Sequence, residues 1–182
     1  MIRWPSTSVL HGRKWSETAL ASACAQPQLS LWRLKHCAGK VIAMSLHIRT
    51  FRESDRQMLI SLWQRCDLIR PWNNPSLYID RALKTRTSTL LVGEKNTTPI
   101  ASIMAGYDGH RGWIYYLAVD AHERNRGYGR EMMLEAELWL RSQSAPKLQL
   151  MVRGDNEAAT AFYAALGYEH QDVSVFGKHL DD

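Results

Sequence analysis

The run WIYYLAV, Trp113 to Val119, carries no charge, and shortly beyond it a helical period sets in, with Met132, Met133, Ala136, Trp139 and Leu140 on one stripe. Between the two stands RNRGYG, Arg124 to Gly129. A strand that passes through a short loop into a helix fixes the direction of both, so the helix N-terminus is aimed back at the loop. Gly127 and Gly129 let the backbone approach a ligand closely, and the unpaired N–H groups of the first helical turn, with the helix dipole, favour negative charge there. Arg124 and Arg126 add guanidinium groups. The unit reads as an anion cradle. Its glycines alone say little, since a Gly-x-Gly pair recurs by chance at roughly one position in 200. Two known phosphate loops are excluded: no third glycine follows at dinucleotide spacing, and no Gly-Lys-Ser/Thr completes a nucleotide-triphosphate loop.

A second unit follows the first. KLQLMVR, Lys147 to Arg153, reads as a strand, and DNEAATAFYAALGYE as a helix with Ala158, Ala159, Phe162 and Leu166 on one face and Gly167 as its C-terminal stop. An R-x-x-G-x-G loop between strand and helix, then a strand, then N-x-x-A-x-x-x-Y-x-x-x-G-Y, resembles the GNAT superfamily of acyl-CoA-dependent N-acetyltransferases. The matching positions are Arg124, Gly127, Gly129, Asn156, Ala159, Tyr163, Gly167 and Tyr168, and none departs from the pattern. The resemblance runs from about Met44 to the C-terminus, and LWQRCDLIRPWNNP and GYDGHRGW are similar to a small bacterial subgroup, the YpeA type.

The resemblance implies an α/β fold with a mixed, mostly antiparallel sheet, helices on both faces, and a splayed parallel strand pair. A bulge in the fourth strand would open the slot between that pair, with Leu117, Ala118 and Val119 sitting at the bulge and offering backbone groups to the pantetheine arm of acetyl-CoA, the co-substrate. Arg124, Arg126 and the amides of Asn125, Arg126, Gly127, Tyr128, Gly129 and Arg130 would bind its pyrophosphate. The implied chemistry is direct attack of a primary amine on the acetyl thioester. Tyr163, at the family's tyrosine position, would be the general acid for the leaving thiolate; otherwise it packs between helix and sheet. Asn156 either bonds the pantetheine or caps its helix. The competing reading is a non-catalytic acyl-CoA-binding sensor or interaction module on the same fold.

A base for the amine is less clearly marked. Asp108 and His110, in the loop before the apolar strand, and Tyr115 are candidates for base or acceptor-side groups, although Asp-Gly-His-Arg-Gly is also ordinary turn chemistry. Tyr115 and Tyr116 should alternate across their strand, one of them facing the slot. Glu94 is either a further base or a solvated strand end. Asp67, Arg70 and Trp72 fall in a loop that flanks the acceptor entrance in the family, and Trp72 either walls that entrance or packs the loop onto the sheet. The acceptor class stays open between a small molecule, a lysine side chain and a protein N-terminus. No metal site is expected, because His122, His170 and His179 lack ligand-like spacing with Cys or carboxylates.

The chain's formal charge of +5 invites a nucleic-acid reading, but its location opposes one. Residues 1–43 hold six basic side chains, Arg3, Arg13, Lys14, Arg33, Lys35 and Lys40, against Glu17, and the remainder is neutral. This segment shows no sustained apolar period and ends before MSLHIRTF, which begins like a domain. It is expected to be an extension outside the domain, either a start-site artefact or a targeting leader, with the acetyltransferase domain spanning 44–182. No run approaches the roughly 18 apolar residues of a membrane span. Of the three cysteines only Cys66 falls in the domain; it reads as a core thiol, and its isolation suits the cytoplasm. A monomer and a homodimer are both compatible.

The domain's first strand should cover Leu46 to Phe51, and Ser54 with Gln57 makes a capping box for the next helix. RPWNNPS precedes a short helix near Leu77 to Arg86. TLLVGEK and IASIMAGY form a hairpin about a turn at Asn96 to Pro99, and VSVFGKHL should be a last strand.

Overall fold

The computed structural model of the chain describes residues 46–178 and 180. The expectations for residues 1–43 and for His179 lie outside them. The order of elements is β1 (His47–Thr50), α1 (Arg56–Arg65), α2 (Pro75–Lys84), β2 (Ser88–Lys95), β3 (Thr98–Tyr107), β4 (Gly112–Val119), α3 (Tyr128–Ser142), β5 (Leu148–Leu150) and α4 (Glu157–Ala165). Among the described residues the strands form one sheet in sequence order, antiparallel from β1 to β4, with β4 and β5 parallel. Hairpins need only short turns; the parallel pair needs the crossover that α3 supplies. This is the mixed α/β architecture expected.

Alternation along the strands divides the core in two. Leu91, Ile103, Ala105 and Ile114 face α3, which buries Met132, Met133, Ala136 and Leu140 against them. Leu90, Val92, Met104 and Ala118 face the other way, where Leu59, Leu62 and Trp63 of α1 and Ile79 of α2 pack. The helical stripe read from α3 is thus its buried face, except that Trp139 is only partly buried.

Local signals were used unevenly. The hairpin turn is Asn96-Thr97, with φ of 49° and 66°, and Pro99 already lies in β3 opposite Glu94. Two left-handed residues are what a type I′ two-residue hairpin requires. α2 begins two residues earlier than expected because Asn74 caps it, accepting from Leu77 N at 3.1 Å, with Pro75 in the first turn. The Ser54 capping box does not form. Asp55 instead ends a short 3-10 turn, Glu53–Asp55, and its carboxylate accepts from Arg52 N at 2.7 Å. Asp55 wins because Arg49 also binds it, at 2.7 and 2.9 Å, an ion pair that exposed Ser54 cannot match.

The expected last strand is absent from the described residues. Val173, Val175 and Phe176 are 70, 69 and 93% exposed and carry no strand pairing. Alternating β-formers at the end of a chain make a strand only when a sheet edge receives them, and β5 offers just three residues.

Candidate functional site

β4 does not run straight. Ser102 pairs with Ala118 and Met104 with Tyr115, so Tyr116 and Leu117 together stand opposite Ile103. The extra residue is a β-bulge, absorbed by Tyr116 at φ 51°, in the left-handed region a bulky residue seldom occupies. Pairing with β5 is confined to Gly112, Trp113 and Ile114. Of the three residues expected at the bulge only Leu117 belongs to it; Ala118 and Val119 pair again with Ser102 and Ala101, and all three border the gap that opens where pairing with β5 has ended. The bulge also defeats the expected alternation. Tyr116 stacks on Trp63 at 4.2 Å, while Tyr115 lies opposite Met104, a residue of the same α1/α2 layer.

Beyond β4, Asp120 caps a 3-10 turn, Ala121–Glu123, and the chain enters α3 through Gly127 at φ 89°. That value suits glycine and strains any side chain. The turn leaves the first-turn N–H groups of Tyr128, Gly129 and Arg130 without helical partners and aimed outward. Tyr128 is buried, so only its backbone can serve a ligand. Gly129 faces α4, where a Cβ would stand 3.1 Å from the Phe162 ring; the helix ends approach that closely only because the side chain is missing.

These elements enclose one cleft of about 480 Å³. Leu117, Ala118, Val119, Arg124, Asn125, Gly127, Tyr128, Gly129, Arg130, Asn156 and Tyr163, named from the sequence, all line it. Arg126 does not; its guanidinium lies 3.3 Å from Glu123, whose carboxylate also binds Lys95 at 2.8 and 3.0 Å. Sequence reading missed Leu68, Glu123 and Phe162 on the lining, the last because its period marks it equally as core. Cys66 packs partly buried against the α1 core, as expected, and also lines the cleft, donating to Val119 O at 3.4 Å.

Asn156 accepts from Ala159 N at 3.0 Å, so its carbonyl oxygen is committed to capping α4 while its amide group borders the cleft. Tyr163 packs edge-on against Phe162 and Tyr168, and burial pushes its phenol up to about 12. Such a group stays protonated at neutral pH, so in proton transfer it can act as an acid but not as a base.

The acceptor-side candidates are dispersed. Asp108 accepts from His110 N, Arg111 N and Trp113 Nε1 at 2.7, 2.6 and 2.8 Å, and these bonds hold its carboxyl down to about 2. A carboxylate so saturated is a poor base. Its loop, with exposed His110, precedes Gly112, about 17 Å along an extended strand from Leu117. Glu94 is bound by Arg49 and His47 at the β1–β2 pair, is partly buried, and does not line the cleft. Tyr115 is 42% exposed, and burial with the nearby Asp108 charge raises its phenol. Asp67 and Arg70 bind each other at 2.7 and 3.0 Å. Trp72 is 68% exposed, so it does not pack its loop onto the sheet. Among the described residues no three His, Cys, Asp or Glu side chains form a metal-binding group, and no helix is long and apolar enough to cross a membrane.

The profile of the acetyltransferase (GNAT) family matches residues 49–168. The chain belongs to the GNAT family of acetyltransferases. An acetyltransferase from Yersinia pestis strain Pestoides F is 44% identical over 135 residues, covering 74% of this chain and 96% of that one. Among solved structures, AAC(6′)-Iy in complex with the bisubstrate analog CoA-S-monomethyl-acetylneamine aligns with a TM-score of 0.62 at 14% identity, over 74% of this chain and 97% of its own. The aminoglycoside 6′-N-acetyltransferase AAC(6′)-IG from Acinetobacter haemolyticus gives 0.61 at 19%, over 74% and 99%. The GNAT chain is therefore an acetyltransferase with that family's fold, and the region matched contains the bulged strand, the glycine loop and Tyr163.

Proposed function

We propose that this GNAT enzyme is an acetyl-CoA-dependent N-acetyltransferase, carrying an acetyl group to a primary amine by direct attack on the thioester. The observation that carries the reading is the single cleft joining the first-turn amides of α3, the diverging edge of β4 and the Tyr163 phenol. The residues fit the co-substrate chemically. Amides at Gly127 to Arg130, with Arg124, suit a pyrophosphate; Leu117 to Val119 suit an extended arm bearing amides; apolar Ala159, Phe162 and Leu166 suit its methylenes. The bisubstrate analog named with AAC(6′)-Iy joins CoA to an amine, which supports both halves of the assignment.

In this reading the free amine forms the new C–N bond as the C–S bond breaks, and Tyr163 Oη gives its proton to the leaving sulfur. Holding the partners in line accounts for much of the acceleration, up to roughly 7–11 kcal/mol in favourable cases. Asp108 and Glu94 are both committed elsewhere, so the amine's proton passes to water and solvent returns a proton to the Tyr163 phenolate, with Tyr115 bordering the acceptor side. kcat/KM at subsaturating amine should then rise with pH along the acceptor's own ionisation, shifting as amines of different pKa are compared. A fixed rise near pH 6 for every amine would instead reveal an enzyme base.

Asp67, Arg70 and Trp72 form the acceptor entrance, and the acceptor is a small amine, a lysine side chain or a protein N-terminus. The domain is taken as 44–182. It acts in the cytoplasm, as a monomer or homodimer, and nucleic acid is not its ligand. Calorimetric titration of acetyl-CoA and CoA into the full chain tests the core of the reading. Arg124→Ala/Gly127→Asp, which places a carboxylate among the phosphate-binding amides, should weaken binding by a hundredfold or more while the protein stays folded. Absence of binding by folded wild type would remove the co-substrate assignment; binding without turnover across amine panels would favour a sensor module.

A further inference from the structure

Ser102 is a hydroxyl at an address that should be apolar. It sits in the middle of β3 between Ala101 and Ile103, fully buried at 0% exposure, and faces the α1 layer. A buried hydroxyl persists only where its hydrogen bonds are made, and both of its roles are used. Trp63 Nε1, itself fully buried on α1, donates to Ser102 Oγ at 2.8 Å, and Ser102 Oγ is 3.1 Å from the carbonyl oxygen of Tyr116, to which it donates. Tyr116 is the bulge residue at φ 51°, and its ring stacks on the same indole. The chain of bonds therefore runs from helix α1 through β3 to the one peptide at which β4 bends away.

We propose that Ser102, oriented by Trp63, is a positioning residue for the acyl-CoA cleft. By anchoring the Tyr116 carbonyl it holds the bulge, and with it the backbone of Leu117 to Val119 that lines the slot. This rests on the acyl-CoA reading of that cleft. A trans peptide sends its C=O and N–H in opposite directions, so anchoring the Tyr116 carbonyl on Ser102 turns the Leu117 N–H away from Ser102. A left-handed tyrosine is a strained conformation that persists only where its surroundings over-determine it, and the Trp63 stack with the Ser102 bond does so. Without the hydroxyl, the peptide can relax toward regular pairing with β3 and the strand can straighten toward β5. The consequence is local to the pantetheine part of the cleft. The amides of α3 that face a pyrophosphate lie on another element and should not notice.

The test uses the full chain and two probes: CoA, and adenosine 3′,5′-bisphosphate, which carries the nucleotide end without the pantetheine arm, measured by competition. Ser102→Ala should weaken CoA about tenfold and leave the bisphosphate unchanged, while Ser102→Thr, which keeps the hydroxyl, restores CoA to within about threefold. Because Ser102→Ala strands the buried Trp63 N–H, Trp63→Phe/Ser102→Ala removes both partners at smaller cost to stability while still releasing the Tyr116 carbonyl. It should show the same CoA-selective loss. Unchanged CoA affinity in both variants, or equal loss of both probes, would overturn the positioning role. Wild type that binds neither probe would instead overturn the acyl-CoA reading itself.

Discussion

Tyr163→Phe should lower kcat with acetyl-CoA by about 10²-fold or more while the Kd for CoA changes less than threefold. The substitution removes one oxygen and keeps the ring that contacts Phe162 and Tyr168 at 5.1 and 5.8 Å, so the lining of the cleft is preserved. What is lost is the proton for the leaving sulfur, needed only as the C–S bond breaks, and an interaction of that kind appears in kcat rather than in ground-state binding. The Tyr163 hydroxyl is open to a substrate, since no hydrogen bond among the described residues engages it, whereas the neighbouring Tyr168 hydroxyl donates to Glu137 at 2.6 Å. Burial holding Tyr163 up at about 12 keeps the acid form intact across the working range, so kcat should not fall on the alkaline side below about pH 10. Steady-state kinetics beside calorimetry decides it; an unchanged kcat would reduce Tyr163 to a packing residue.

Arg49→Met should destabilise the domain by about 3 kcal/mol at pH 7, a fall in Tm of roughly 6–12 °C. Arg49 bridges Asp55, which is 2% exposed, and Glu94, joining β1, the turn before α1 and β2. Its removal leaves two carboxylates with reduced compensation in a poorly hydrated place. The sign with pH follows from the carboxylates: hydrogen bonding to Arg49 lowers Asp55 and Glu94 below their ordinary values, against the opposing effect of burial. A depressed folded pKa contributes stability that is present above the unfolded value and lost as pH falls through the folded one. The wild type should therefore lose this advantage in acid, and the gap between wild type and Arg49→Met, measured by urea denaturation, should narrow from pH 7 toward pH 3. A gap that stays constant would mean the substitution acts through packing alone.

A third comparison probes the close approach of the two helices at the cleft. Gly129→Val would drive its side chain into the Phe162 ring, where even a Cβ meets carbon at 3.1 and 3.2 Å, and should weaken CoA at least tenfold by calorimetry. Gly129→Val with Phe162→Ala should recover part of the loss, because the space is returned.

Much of the cleft was legible because its chemistry is local. A strand, a loop with glycines and a helix fix an anion-binding amide cluster within about fifteen residues, and the left-handed φ of Gly127 is a property of that loop alone. Tyr163 and Asn156 were legible only through the resemblance of their helix to the family pattern. The misses were all cases where distant residues compete. Asp55 displaced Ser54 as the residue that organises the start of α1 because Arg49 lies across the sheet edge. Asp108 looked like a base until the backbone of its own turn and Trp113 consumed its lone pairs. VSVF carried strand propensity without a partner edge.

From the sequence alone came the apolar helical stripes, the anion-binding turn and the helix that carries Tyr163, since each depends on neighbours within a few turns of backbone. Only the tertiary structure decided where β4 breaks from regular pairing and which groups are left free to react. A bulge is a mismatch of register between two strands, and a side chain's availability depends on partners brought from elsewhere in the chain; Ser102 and Trp63, 39 residues apart, meet at Tyr116 by folding alone.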